Sequence, residues 1–150
     1  MCGRYALTSP PAAIAERFHL LWAPEIEAHY NIAPSQMIPV VRETAEGRAL
    51  ALLKWGLLPW WAKDAHIGAK LVNARAESLA GKPAFRDAYR YRRCLVPADA
   101  FYEWKPVAGR KQPYCIRMRD HALFGMAGLW EHWVAPDGQV VESCTIVTVD

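Results

Sequence analysis

The chain reads as an α+β domain of twisted, mainly antiparallel β-sheets, partly open and barrel-like, with a few short helices. Short apolar runs with period-two alternation, about eight of them, are separated by turn residues, whereas only two segments carry helical periodicity. The 150 residues are 53% hydrophobic, enough for one core and not for two, so residues 1–150 form a single domain. Neither an internal repeat nor a low-complexity linker breaks it.

In chain order, Ser9-Pro10-Pro11 offers a capping serine and an early proline, and Ile14, Phe18 and Leu21 recur along one face. That spacing predicts a helix over 11–21. Tyr30-Asn31-Ile32-Ala33-Pro34-Ser35 is turn chemistry, and strands follow over 37–42 and 49–57, joined by the polar loop 43–47. In Trp55-Gly56-Leu57-Leu58-Pro59-Trp60-Trp61, Trp55 reads as core, while Trp60 and Trp61 read as a platform projecting from a loop. Asn73, Arg75 and Glu77 alternate, so an extended segment would present amide, guanidinium and carboxylate on one side; a solvated helix start with an ion pair is the competing reading. A helix from 83 to 92 should bury Phe85 and Tyr89 and present Arg86 and Arg90 one turn apart.

Cys94-Leu95-Val96-Pro97 reads as a buried strand that turns into Phe101-Tyr102-Glu103-Trp104, with Phe101 and Glu103 on one face. A carboxylate set among aromatic side chains suits general acid–base work; a rim glutamate paired with an arginine is the alternative. A polar hairpin loop spans 107–112, and strands over 114–118, 122–127, 129–134 and 144–149 complete the sheet. Because the last of these runs to the final residues, the domain is expected to lack its C-terminal part.

Composition bounds the function. The net charge of +3 permits nucleic-acid contact without requiring it, although 82–93 carries five cations against Asp87 alone. Cys2, Cys94, Cys115 and Cys144 form no C-x-x-C pair, which argues against a zinc site or disulfide framework; the last three read as small buried hydrophobes. No metal or cofactor is expected. The absence of a signal-like or membrane-spanning stretch predicts a cytoplasmic protein without membrane contact.

The start Met1-Cys2-Gly3-Arg4 carries distinctive chemistry. Excision of Met1 would leave Cys2 with an amine of pKa near ~8 beside its thiol. Such a 1,2-aminothiol condenses with an aldehyde to an imine and then closes a thiazolidine. Gly3 permits close backbone approach, and Arg4 adds a permanent cation.

Taken in order, Met1–Tyr5, Tyr30–Pro34, Trp55–Leu57, Asn73–Glu77, Phe101–Trp104, Gly128–Trp130 and Thr145–Thr148 closely resemble the SOS-response-associated peptidase (SRAP) family. The resemblance covers essentially the whole chain. It implies an abasic-site sensor acting on single-stranded DNA, in which Cys2 forms a thiazolidine crosslink with the ring-opened sugar; a monomer is expected. By the same resemblance Asn73 orients the amine and sugar, and Glu103 transfers protons. Arg4, Asn31, Pro34, Trp60, Trp61, Arg75, Arg86 and Arg90 would contact DNA. Lyase side activity and removal of the chain's own Met1 are also implied.

One departure stands out: none of His19, His29, His66, His121 or His132 matches the family's further histidine, which lies in a segment after the last strand. Two rival readings use the same residues differently. A glutamine amidotransferase-type hydrolase would also begin with a cysteine nucleophile, and a non-catalytic single-strand-binding module would need only the tryptophans and arginines.

Overall fold

The computed structural model describes residues 1–150. Its elements are β1 (Tyr5–Leu7), α1 (Pro11–Phe18), β2 (His29–Ile32), β3 (Met37–Thr44), β4 (Gly47–Trp55), β5 (Asn73–Arg75), α2 (Arg86–Tyr91), β6 (Arg93–Ala98), β7 (Ala100–Val107), β8 (Arg110–Ile116), β9 (Phe124–Val134) and β10 (Val140–Thr148). Single 3₁₀ segments at Ala65–Lys70 and Ala76–Ser78 flank β5.

Two sheets form. One runs β2-β1-β7-β8; the other runs β4-β3-β6-β9-β10-β5, and an extra pairing of β4 with β10 closes five of its strands into a barrel. Most pairings are antiparallel, but β10 lies parallel to both β4 and β5. The fold class is therefore the expected one, with a barrel that closes through a parallel pair. No helix is long and apolar enough to cross a membrane.

The core lies where the small sheet covers the barrel. Tyr5, Leu7, Ile14, Ile38, Leu53, Trp55 and Val96 are all buried there. The Tyr5 and Trp55 rings meet edge to face at 5.5 Å, a contact worth ~0.5–1.5 kcal/mol beyond its area. On the barrel wall, Arg42 of β3 forms a bidentate pair with Glu142 of β10 at 2.8 and 3.0 Å. The Arg42 guanidinium also stacks on Trp130 of β9, 4.3 Å from the ring centroid. One side chain thus ties three strands.

Several local expectations change. The first helix stops at Phe18 because His19 adopts a left-handed conformation, and Leu21 ends 44% exposed. Ser9 does not cap it: its backbone N–H and that of Thr8 donate to Asp99, at 2.8 and 2.7 Å. In α2 the buried residue is Ala88, while Tyr89 is exposed; Phe85 is buried just before the helix. Residues expected as two strands over 122–134 form the single long β9. The 107–112 loop shrinks to a two-residue turn, Ala108-Gly109, with both φ angles positive, as a tight hairpin requires. Cys115 is exposed on β8, whereas Cys94 and Cys144 are buried.

Hydrogen bonding to Arg42 holds the Glu142 carboxyl below its ordinary value of 4.5. Its folded-state pKa being depressed, the associated stability is present above the unfolded value and disappears as pH falls through the folded one. Glu142→Gln should cost about 1 kcal/mol in urea unfolding at pH 7, with the difference from the parent vanishing in acid below the carboxylate range.

Candidate functional site

The site begins with a close approach of two backbones. Gly56 sits at φ +134°, and a Cβ there would lie 2.7 Å from the Gly68 carbonyl oxygen, so only glycine fits. Around this contact, Leu57 N–H donates to Leu71 O at 3.1 Å, and the Trp55 indole donates to Val72 O at 2.9 Å. The returning chain then joins β10 as β5, pairing Asn73 with Ile146. Asn73 is half-buried there, its amide donating to Ile146 O at 3.3 Å.

Across a cleft of about 400 Å³ from that wall lies the end of the small sheet. Met1, Gly3, Lys70, Asn73, Glu103 and Trp104 line it. Three sequence-selected groups thus meet in one cleft: the N-terminal segment leading into β1, Asn73 from β5, and Glu103 from β7. The Met1 α-amine lies 3.1 Å from Glu103 Oε1. Glu103, 38% exposed at its side chain, is a rim carboxylate, and its partner is this amine and not an arginine.

Behind Met1, Cys2 is 7% exposed and packs with the core. Burial, followed by the nearby Glu103 charge, pushes its thiol up to about 11. With Met1 in place, only ~10⁻⁴ of it is therefore ionised at pH 7. Tyr5 lies in the same core; its buried hydroxyl has no hydrogen-bond partner, and burial with the Cys144 and Cys2 thiols raises its pKa.

A second cleft of about 390 Å³ adjoins the first through Ala69 and Val72, with Pro34, Ser35 and His66 on its wall. Arg4 donates to Asn31 Oδ1 at 3.2 Å, which ties β2 to the N-terminal segment. Of the sequence-selected DNA contacts, Pro34 therefore lines the second cleft, and Arg4, bonded to Asn31, directly follows Gly3 of the first.

The rest line neither cleft. Arg75 is held by Asp150 and lies 3.8 Å from Glu77. Trp60 and Trp61 project from the loop before the Ala65–Lys70 turn, 59% and 44% exposed. The Trp60 indole donates to Asp87 of α2 at 3.0 Å, so these tryptophans belong with exposed Arg86 and Arg90 on a separate face. Arg92 of the same basic run turns inward and pairs with buried Glu131 at 2.9 Å. Lys70 in the first cleft escaped sequence reading, since a single lysine in a loop carries no signal. No group of three His, Cys, Asp or Glu side chains is arranged to hold a metal ion.

In a chain that retains Met1, a maleimide at neutral pH should modify Cys115 and leave Cys2, Cys94 and Cys144 intact, as peptide mapping would show. Raising the pH should speed modification of Cys2 about tenfold per unit up to its pKa of about 11.

A family model described as SOS response associated peptidase (SRAP) matches residues 1–150. "Abasic site processing protein YoqW" of Bacillus subtilis (strain 168) is 45% identical over 152 residues, covering 99% of this chain and 68% of that protein. "Abasic site processing protein YedK" of Escherichia coli (strain K12) is 32% identical over 136 residues, covering 86% of this chain and 59% of that one. A crystal structure of a protein from Bacteroides thetaiotaomicron superposes with a TM-score of 0.88 at 25% identity, over 99% of this chain and 68% of its own.

Proposed function

The chain belongs to the SOS-response-associated peptidase (SRAP) family, and from that premise we propose that it processes abasic sites by a covalent crosslink from Cys2 to the lesion in single-stranded DNA. The observation that carries this reading is the cleft in which the amino terminus, Asn73 and Glu103 converge. In the starting chain the Met1 amine occupies Glu103. Removing Met1 frees the carboxylate and makes the Cys2 nitrogen the new terminus. The first nucleophile is this amine, which forms the imine that the neighbouring sulfur then closes.

Ring opening of the sugar exposes an aldehyde at C1′. The neutral Cys2 amine adds to that carbon, and Glu103 relays the two protons shed by the nitrogen to the former aldehyde oxygen, which leaves as water so that an imine forms. The Cys2 sulfur then adds to the imine carbon as its proton passes to the nitrogen, closing the thiazolidine. Aldehyde and aminothiol combine with loss of one water, with no net redox change. Asn73 orients the amine and the sugar, and Arg4 and Lys70 favour the neighbouring phosphates. Holding the partners together contributes most of the acceleration through effective concentration. The imine also opens a β-elimination path, a lyase side reaction that cleaves the strand on the 3′ side of the lesion.

Of the other selected residues, Asn31 and Pro34 flank the entry, while Arg75, Trp60, Trp61, Arg86 and Arg90 engage flanking DNA more remotely. The protein works as a monomer in the cytoplasm on this reading.

Incubation with an abasic oligonucleotide should yield an adduct that survives boiling in detergent; Cys2→Ala should abolish it, and an intact-base oligonucleotide should give none. Glu103→Gln should slow its formation by ~10²–10⁴-fold while leaving DNA affinity within about twofold. No adduct with the parent protein, or ammonia release from glutamine that depends on Cys2, would overturn the proposal.

A further inference from the structure

The β7–β8 hairpin is the most exposed regular structure in the chain: every residue from Trp104 to Asp120 is exposed. Between 104 and 119 the sequence has Lys105, Arg110, Lys111, Arg117 and Arg119 and no acid. None of these cations forms an ion pair, whereas Arg42, Arg48, Arg75 and Arg92 are each matched to a carboxylate. The hairpin is a free positive surface attached to the cleft by its root.

Its two faces differ. Phe101 pairs with Tyr5 and packs against the core, so the Phe101 side of β7 is the inner face. Alternation places Glu103, Lys105 and Val107 on that face, with Tyr114, Gln112 and Arg110 directly across from them on β8. Beyond Glu103 the inner face leaves the core and overhangs open solvent. Successive rungs then present an exposed aromatic, Tyr114, beside the cleft carboxylate, followed by Lys105 and then Arg110 at intervals of ~7 Å. Lys111 sits next to Arg110 but points to the outer face, paired with Pro106.

An edge strand often carries lysine and proline merely to discourage association, which accounts for Lys111 and Pro113. It does not account for a 46% exposed tyrosine opposite Glu103 with unpaired cations aligned beyond it. We propose that the inner face of the β7–β8 hairpin is a track for single-stranded nucleic acid, leading the strand out of the cleft. Tyr114 stacks the base next to the abasic sugar in the cleft, and Lys105 and Arg110 meet successive phosphates. A flat aromatic face needs unpaired bases, which selects a single strand over a duplex. The inference rests on the reading of the cleft as a single-stranded DNA site and extends it to the path of the strand.

Neighbouring cations on opposite faces allow a direct test. Binding of unmodified oligothymidylate, long enough to cross both cleft and hairpin, is measured as a function of salt for the parent, Arg110→Gln, Lys111→Gln and Lys105→Gln/Arg110→Gln, each checked for an unchanged melting temperature. The double variant should bind roughly tenfold more weakly at low salt and lose about 1.4 from the log–log salt slope, with Arg110→Gln losing about half of that. Lys111→Gln should change the slope by less than a third as much as Arg110→Gln.

Equal effects of Arg110→Gln and Lys111→Gln would reduce the surface to bulk charge and overturn the track. So would unchanged slopes, or an equal loss on a duplex of the same length. A parent protein that crosslinks an abasic oligonucleotide while the variant slopes coincide refutes the hairpin alone. A parent that neither crosslinks nor binds refutes the reading of the cleft as well.

Discussion

Gly56 against Gly68 is the contact on which the site depends. Twelve residues apart, the two glycines let backbone press on backbone where a single methyl group would strike a carbonyl oxygen. That approach turns the loop after β4 back on itself and holds Leu71 and Val72 against the end of the strand. Only then can the next three residues enter the sheet beside β10 and become the wall that carries Asn73. Flexibility elsewhere in the loop is limited by two further ties, Leu58 N–H to the Ser143 hydroxyl at 2.8 Å and the Trp133 indole to Ala62 O at 2.7 Å.

The opposite wall has a different origin. The small sheet packs over the shared core, and its strand β7 passes from core to solvent within five residues, from Phe101 through Glu103 to Lys105. Glu103 is thus placed at the boundary where packing ends. A carboxylate one rung earlier would be buried against Phe124 and the core, and one rung later it would stand free in water. Half-exposed at the rim, it can meet an amine while remaining supplied with protons by solvent.

How much of this was legible in the chain follows from the range of the interactions involved. Cys2, Asn73 and Glu103 stood out because each concentrates reactive or polar groups in a few residues, and the structure brings their segments to one cleft. Strand periodicity and the barrel-like class were legible for the same local reason. The closure of the barrel was not, since the parallel pairings of β10 with β4 and β5 join residues some 70 to 90 apart and leave no mark on either segment. Lys70 enters the cleft only through the glycine contact. Arg75 shares a side with Asn73 by alternation and the 82–93 run stands out by its charge, but Asp150 engages Arg75, Asp87 holds Trp60, and Glu131 turns Arg92 inward. Tyr89 lies four residues after Phe85, the spacing of a shared helix face, but the helix begins only at Arg86 and buries Ala88 instead.

The burial of Cys2 has a consequence for the survival of its thiol. Peroxide attacks thiolates, and a sulfur that is both sheltered and held protonated oxidises slowly. Cys115, standing in solvent on β8, is the one free thiol that oxidants meet first. The three buried thiols are thereby kept in their reduced form, while the exposed one takes the early damage.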